Sequence, residues 1–267
     1  MNQTQYVQLA DDSLLDQGLQ RLKIKIFADG ADLRGIREMY RNPQIGGFTT
    51  NPTLMRKAGV EDYESFAREV LSVVTDLPVS FEVFADDLSE MEAQARRIAS
   101  WGRNVNVKIP VTNTRGDFTG PILERLSRDE VQLNVTAIMT LDQVRRVTEA
   151  LDPDTPSIVS VFAGRIADSG IDPVPHMSAA LEILQEKPRA ELLWASPREL
   201  FNVVQAEKIG CHIITVPNDL LKKLALFGKD LREYSLETVR MFYEDASSAG
   251  YSINTRGDEA IPLRPTS

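Results

Sequence analysis

Lys108 lies in a segment whose residue types alternate as they do in a β-strand. The segment reads Asn104-Val105-Asn106-Val107-Lys108-Ile109-Pro110-Val111. Because successive strand side chains point to opposite faces, Lys108 shares its face with Asn104 and Asn106, while the valines share the other. Burial disfavours the charged form of an amine, and a lysine held in such surroundings can act as a nucleophile. The segment therefore predicts an amine that attacks a carbonyl carbon.

Other residues occur at the same parity near the ends of neighbouring β-rich segments. They supply two carboxylates, hydroxyls, an amide and an aromatic ring: Asp29, Asn51, Glu82, Thr136, Ser160, Phe162 and Ser196. An amine and a ketone give a Schiff base, whose iminium accepts electrons while carboxylates move protons. The set therefore predicts carbonyl chemistry that runs through a Schiff base on Lys108.

Ordinary structural roles compete with this interpretation. Lys108 could reach solvent or pair with an acid, and Glu82 could be that acid. Asp29 and Ser196 could each cap a following helix, and residues 49–52 could form only a turn before a helix. Structural networks, core packing or solvation at the surface would account for the others: Asn134, Thr136, Phe162, Arg165 and Arg198.

The elements that must position these residues are eight short β-rich segments. Most of them are separated by stretches with helical periodicity, such as 88–101, 141–150, 175–185 and 198–209. Strands that alternate with helices imply parallel pairing through right-handed crossovers. The predicted strands are 23–29, 47–51, 79–84, 104–111, 131–138, 157–164, 191–196 and 212–217.

Strand parity separates a closed barrel from an open, doubly wound sheet. In an open sheet helices cover both faces, so both faces of a central strand should be apolar. Here one face is polar on strand after strand: Gln132, Asn134 and Thr136 alternate with apolar residues, as do Ser80 and Glu82. A repeated polar face favours the lumen of a (β/α)8 TIM barrel of the α/β class. The active site of such a barrel lies at the C-terminal ends of its strands.

The chain divides into three predicted parts. Residues 1–22 form an N-terminal helical extension, residues 23–249 form the barrel, and residues 250–267 form a C-terminal tail. A final helix is predicted at residues 235–247.

Composition excludes several classes of function. The formal net charge of −9 and the pI near 4.9 argue against a nucleic-acid partner held by phosphate contacts. A single cysteine, Cys211, leaves no intramolecular disulfide, and two histidines make a His/Cys metal site improbable. Neither a signal peptide nor an apolar run of about 18 residues is present, so we expect a cytoplasmic protein without a membrane partner.

Five motifs, in order along the chain, resemble the transaldolase family, which includes the fructose-6-phosphate aldolases. They are Gly47-Phe48-Thr49-Thr50-Asn51-Pro52, Val107-Lys108-Ile109-Pro110-Val111-Thr112, Asn134-Val135-Thr136, Phe162-Ala163-Gly164-Arg165-Ile166 and Ala195-Ser196-Pro197-Arg198. The resemblance extends from about residue 23 to about residue 253, where Gly250-Tyr251-Ser252-Ile253 closes it.

The resemblance implies a role for each matched residue. Lys108 matches the Schiff-base lysine, and Asp29 matches the acid/base that takes the proton from the donor's C4 hydroxyl. Glu82 and Thr136 match the pair that positions water for dehydration of the carbinolamine. The remaining matches imply substrate binding. Asn51 and Asn134 match amides that hold the dihydroxyacetone part, with Ser160 close by, and Arg165, Ser196 and Arg198 match the phosphate site. Thr49 and Phe162 complete the expected substrate-binding residues.

Two positions distinguish the subtypes of this family. The aldolases typically have glutamine in place of Glu82 and tyrosine in place of Phe162, so this chain has the transferase form at both. The resemblance thus implies a transaldolase that needs no cofactor, acts on sugar phosphates and by default serves the pentose phosphate pathway. An aldolase that releases dihydroxyacetone and a non-catalytic sugar-phosphate-binding barrel are the alternatives.

Some features depart from the family pattern. Gly30 follows Asp29 where threonine is commoner, Pro197 replaces an aromatic residue, and the chain is shorter than most transaldolases. These departures leave the acceptor aldose open. The family commonly forms dimers or larger rings, so a homo-oligomer is compatible with the resemblance.

Overall fold

A computed structural model describes residues 22–253 of the chain. The predicted N-terminal helix lies outside the described residues, as does most of the predicted tail. The described residues belong to two compact units, residues 22–225 and residues 226–253. The boundaries of the three predicted parts stay a prediction.

Eight parallel strands close into a barrel in the order in which they follow one another along the chain. Their bounds are β1 Lys25–Asp29, β2 Ile45–Thr49, β3 Val79–Glu82, β4 Val105–Pro110, β5 Leu133–Ile138, β6 Ser157–Val161, β7 Ala190–Trp194 and β8 Ile213–Pro217. Each strand pairs with its two neighbours, and β1 closes the barrel by pairing with β8. The predicted (β/α)8 fold is confirmed.

Ten helices belong to the described part of the first unit. They are α1 Leu33–Tyr40, α2 Pro52–Lys57, α3 Tyr63–Val73, α4 Leu88–Ala99, α5 Gly120–Arg128, α6 Leu141–Ala150, α7 Ala163–Asp168, α8 Pro173–Leu184, α9 Phe201–Lys208 and α10 Asn218–Leu221. A 3-10 turn at Lys222–Leu226 follows α10. No described helix is long and apolar enough to cross a membrane.

The outer faces of the strands form the main core. Alternate residues of β3, β4 and β5, such as Phe81, Val107 and Val135, are fully buried and belong to one large apolar cluster with residues of the helices. Burial of these alternate residues leaves their polar neighbours facing the lumen, as the parity of the sequence predicts.

The lumen is polar on one side and apolar on the other. Ser80, Asn106 and Asn134 are buried on β3, β4 and β5. A separate apolar cluster comes from the strands on the other side: Phe27, Ile158, Leu193, Ala195 and Ile213. The expected polar face therefore holds for β3–β5, while β1 and β6–β8 also contribute apolar side chains to the lumen.

Gly47 makes room for the largest of these lumen side chains. A Cβ at Gly47 would lie within 2.6 Å of the Phe27 ring. Because such a separation is far below van der Waals contact, only glycine fits beside this ring. Gly47, which belongs to the first motif, thus allows the Phe27 ring to pack inside the barrel.

Five predicted strands (the second, third, fourth, sixth and seventh) end one to three residues earlier in the structure than in the prediction, as the sixth and the second illustrate. The sixth was expected to reach residue 164, but β6 ends at Val161 and Phe162 is the N-cap residue of α7. The second was expected to include Asn51, whose side chain instead caps α2 by accepting a hydrogen bond from Leu54 N at 3.0 Å. Pro52 occupies the first helical position, where its missing N–H costs nothing.

The second unit contains one long helix, α11, at Leu231–Ser248. It begins four residues before the predicted helix because Asp230 caps it, accepting hydrogen bonds from the main-chain nitrogens of Arg232 and Glu233. None of its residues is buried.

Candidate active site

A cavity of about 520 Å³ opens at the C-terminal ends of the strands. All eight residues selected by strand parity line it: Asp29, Asn51, Glu82, Lys108, Thr136, Ser160, Phe162 and Ser196. Thr49 and Arg165 line it too. Two further predicted residues, Asn134 and Arg198, are absent from this lining.

Lys108 lies at the centre of the polar side of this cavity. Only 7% of the residue is exposed. Its Nζ lies 3.1 Å from Glu82 Oε2 and donates a hydrogen bond to the carbonyl oxygen of Thr50 at 3.1 Å. The register of β3 and β4 places Glu82 directly opposite Lys108. Lys108 therefore forms the ion pair with Glu82 that the sequence left open, and Glu82 lines the same cavity.

Asp29 ends β1 on the neighbouring wall. Its Oδ1 accepts a hydrogen bond from Thr49 Oγ1 at 2.8 Å. Burial raises the pKa of Asp29, and Glu82 adds to the rise, while Lys108 and the Thr49 hydroxyl act against it. The N-cap of α1 is Asp32, which accepts from Gly35 N. Asp29 is thus free of the capping role that the sequence left open.

Thr136 presents a hydroxyl that is buried and, among the described residues, has no hydrogen-bond partner. The strand is irregular at this point, because Ala137 adopts a positive φ of 61° and the register of β5 with β6 shifts between Val135 and Ile138. Buried hydroxyls are normally satisfied. An unsatisfied one in the wall of a cavity is suited to hold a water or a substrate oxygen.

Asn134 lies beneath the cavity in a buried chain of hydrogen bonds. Its Nδ2 donates to Ser80 Oγ at 3.0 Å, and its Oδ1 accepts from Ser160 Oγ at 2.6 Å. The residue is fully buried. In this arrangement Asn134 orients Ser160, which does line the cavity, and its predicted contact with substrate stays a prediction.

A basic group lies at the rim of the cavity, beyond β6. The guanidinium of Arg165 sits 5.5 Å from the centre of the Phe162 ring. Ser196, directly after β7 and Ala195, adopts a positive φ of 62° and is not the cap of α9, for which Leu200 is the N-cap residue. Together Arg165 and Ser196 place a cation and a hydroxyl where an anion could bind.

Arg198 is engaged elsewhere. Its Nε donates to Asp168 Oδ1 at 2.9 Å, and its Nη2 donates to Asp168 Oδ2. The hydrogen bonds from Arg198 hold the pKa of Asp168 below its ordinary value. The structure therefore separates the two predicted arginines, one in the cavity lining and one in a surface ion pair.

Thr215 lines the cavity from β8 and is 7% exposed, although it is not among the site residues predicted from the sequence. Its hydroxyl makes a hydrogen bond with the hydroxyl of Thr49. The signal was present, because Thr215 alternates with Ile214 and Val216 in the eighth strand. The parity rule that selected the other residues would have selected this one.

A second cavity, of about 570 Å³, lies at the opposite end of the barrel. Its lysine, Lys25, pairs with Glu191 at 2.7 Å, and the side chains are 53% and 34% exposed. A lysine this exposed is in contact with water and lacks the enclosure of Lys108.

The model of the family "Transaldolase/Fructose-6-phosphate aldolase" matches residues 26–259. The chain belongs to this family. A "Probable transaldolase" of Streptococcus equi subsp. equi is 33% identical over 228 residues, which cover 84% of this chain and 99% of that protein. A "Probable transaldolase" of Dehalococcoides mccartyi is 33% identical over 202 residues, covering 75% of this chain and 90% of that one.

A solved structure confirms the fold outside the family. Dihydrodipicolinate synthase from Rhodopseudomonas palustris superposes with a TM-score of 0.52 at 14% identity, covering 85% of this chain and 80% of that one. Membership of the transaldolase/fructose-6-phosphate aldolase family agrees with the resemblance found in the five sequence motifs.

Proposed function

We propose that the protein is a transaldolase that moves a dihydroxyacetone unit from a ketose phosphate to an aldose phosphate through a Schiff base on Lys108. The observation that carries the proposal is the position of Lys108, whose buried amine lies between Glu82 and the Thr50 carbonyl in a cavity that Asp29 shares. Transfer through a Schiff base on Lys108 requires no cofactor.

Formation of the Schiff base uses Lys108, Glu82 and Thr136. Glu82 takes a proton from the ammonium at 3.1 Å, and the free amine attacks the donor's C2 carbonyl. A second amine proton moves through water to the carbonyl oxygen, which gives a carbinolamine. Glu82 then returns its proton to the C2 hydroxyl, which leaves as water. The nitrogen lone pair forms the C=N bond. The unpartnered hydroxyl of Thr136 holds a water between these groups.

Cleavage of the carbon–carbon bond uses Asp29. The carboxylate takes the proton from the donor's C4 hydroxyl, the C3–C4 electrons move into the iminium, and the aldose phosphate leaves. An enamine remains on Lys108. A raised pKa suits this step, because Asp29 must accept a proton here and return it when the enamine attacks the acceptor aldehyde.

The rim of the cavity supplies the phosphate site. Arg165 and Ser196 line the same cavity as Lys108, at the end where the sugar chain would leave it. In a protein with a formal net charge of −9, a local cation is needed to attract an anionic substrate. This placement favours phosphorylated sugars as substrates and partners.

Phe162 favours transfer over release. It lines the cavity without a hydroxyl that could protonate the enamine carbon, so the enamine persists until an aldehyde arrives. We propose that the protein acts in the cytoplasm and, by default, in the pentose phosphate pathway. A homo-oligomer stays a prediction.

Borohydride trapping tests the proposal directly. Purified protein is incubated with fructose 6-phosphate and sodium borohydride, and peptide mass spectrometry locates the reduced adduct. We expect the adduct on Lys108 in the wild type and in Lys25→Met, and its loss in Lys108→Met. Lys25→Met is the matched control, because Lys25 is also a strand lysine paired with a glutamate.

A coupled assay separates the alternatives. Transfer that depends on an added aldose phosphate supports the transaldolase. Release of dihydroxyacetone without an acceptor would instead establish an aldolase. Saturable binding of sugar phosphate without an adduct or turnover would establish a non-catalytic barrel and contradict the proposal.

A further inference from the structure

We propose that Thr215 is a positioning residue for Asp29 and acts on it through the hydroxyl of Thr49. The catalytic consequence rests on the proposed function, in which Asp29 moves the proton of carbon–carbon cleavage. Thr215, Thr49 and Asp29 form a hydrogen-bond relay whatever reaction the protein catalyses.

The relay joins three neighbouring strands. Asp29 at the end of β1 pairs with Thr49 of β2, and β1 also pairs with β8, which carries Thr215. Thr49 Oγ1 lies 2.8 Å from Asp29 Oδ1 and also makes a hydrogen bond with Thr215 Oγ1. The two threonines are 2% and 7% exposed, so little water competes for these hydroxyls.

Proton counting fixes the direction of the relay. A carboxylate only accepts hydrogen bonds, and a threonine hydroxyl has a single hydrogen to donate. When Asp29 is ionised, Thr49 must donate to Asp29, so Thr215 must donate to Thr49. When Asp29 is protonated it can donate to Thr49, and Thr49 can then donate to Thr215. The hydroxyl of Thr215 completes the relay in both states.

The relay favours the ionised state of Asp29. A hydroxyl that itself accepts a hydrogen bond becomes a stronger donor, because the bonds in a chain polarise one another. Thr215 therefore strengthens the bond from Thr49 to the carboxylate. Without the Thr215 hydroxyl, Thr49 would keep its bond to Asp29 but lose the donor behind it.

Two charged groups also face Asp29, and neither belongs to the relay. Lys108 on β4 favours the carboxylate, and Glu82 on β3 disfavours it. Both are unchanged in a variant of Thr215. A change in the titration of Asp29 in that variant therefore reports the relay.

The test compares Thr215→Val and Thr215→Ala, which remove the hydroxyl, with Thr215→Ser, which keeps it. Thr148→Val is the matched control, since Thr148 is a buried threonine of α6 whose hydroxyl bonds the Val144 carbonyl. NMR of the Asp29 side-chain carboxyl carbon follows its titration in each protein. The pH profile of kcat follows transfer between a ketose phosphate and an aldose phosphate.

We expect the pKa of Asp29 to rise in Thr215→Val and Thr215→Ala, so the ascending limb of the kcat profile moves to higher pH. At neutral pH kcat should fall roughly tenfold, in line with the loss of a positioning contact. Thr215→Ser should remain within about twofold of wild type, because it keeps the donor. Borohydride trapping on Lys108 should be unchanged, since the relay serves cleavage and not imine formation.

An unchanged Asp29 titration in both hydroxyl-free variants would overturn the inference. Equal effects in Thr148→Val would do so too, because they would trace the change to general loosening of the fold. The proposed function fails separately. A wild type that shows no transfer refutes the transaldolase, and the carboxyl titration alone then decides on the relay.

Discussion

Gly164 lies so close to the carbonyl oxygen of Ser196 that a Cβ on Gly164 would stand 1.5 Å from it. The main-chain nitrogen of Gly164 also lies 3.3 Å from the carbonyl oxygen of Ala195, to which it donates. The start of α7 is thus packed against the end of β7. This contact sets the spacing between α7, which carries Arg165, and Ser196, whose hydroxyl belongs to the proposed phosphate site.

Gly164→Ala should therefore destabilise the protein by about 3 kcal/mol or more, because backbone must move to admit the methyl group. Urea unfolding measures the loss. Gly46→Ala is the control, since a Cβ there meets its nearest atom at an ordinary 3.5 Å and should cost about 1 kcal/mol or less. Equal stability of the two variants would contradict the contact.

The same contact marks a limit of prediction from sequence. Strand alternation was enough to place Glu82 and Lys108 on one face, and their pairing in the barrel follows from parallel register. The end of β6 was not predictable in this way. Residues 162–164 look like a continuing strand, and only the approach of Ser196, which is distant in sequence, shows why the helix begins there.

Side-chain partners that are distant in sequence were equally hidden. Arg198 and Asp168 are separated by thirty residues, and no local pattern links them. Thr215, by contrast, was accessible to the parity rule. The sequence therefore predicts which residues face the same cavity. It does not predict which of the candidate residues, such as Arg198, already form an ion pair with another side chain.

Glu82→Gln should slow formation of the Schiff base by roughly a hundredfold, because glutamine cannot take the proton from Lys108. The rate at which the borohydride-trappable adduct appears in a single turnover measures this step. Glu191→Gln, which alters the glutamate paired with Lys25, should leave the rate unchanged. A normal rate in Glu82→Gln would assign the proton to another group.

The two arginines should differ in their effect on phosphate recognition. Arg165→Ala should raise KM for an aldose phosphate by about tenfold to a hundredfold, the loss expected for a charge-assisted hydrogen bond. Arg198→Ala should have a smaller effect, because Arg198 is bound to Asp168 and is absent from the cavity lining. The unphosphorylated aldose serves as the control substrate. Equal losses in the two variants would show that Arg198 leaves Asp168 to bind phosphate.

Phe162→Tyr should convert part of the transfer activity into release. A phenolic hydroxyl at this place in the cavity wall could protonate the enamine carbon, after which hydrolysis frees dihydroxyacetone. Dihydroxyacetone formed without an acceptor measures the change, and we expect a rise of several-fold. Phe162→Leu should show no such rise, because it also lacks the hydroxyl.

Asp29→Asn should lose transfer activity while gaining stability at neutral pH. Burial raises the pKa of Asp29 above its ordinary value of 3.8, so ionisation costs the native state more than the unfolded chain. Asparagine escapes this cost. The variant should therefore be more stable than wild type at pH 7.

The gain of Asp29→Asn should shrink as the pH falls through the raised pKa of Asp29, because the native wild type then binds a proton and no longer bears the cost of a buried charge. Urea unfolding from pH 7.5 down toward the ordinary value of 3.8 measures the trend. Asp62→Asn provides a control of opposite sign, because hydrogen bonds from Ser65 lower the pKa of Asp62. A variant Asp29→Asn that is less stable than wild type at pH 7.5 would show that attraction to Lys108 outweighs the burial of the charge.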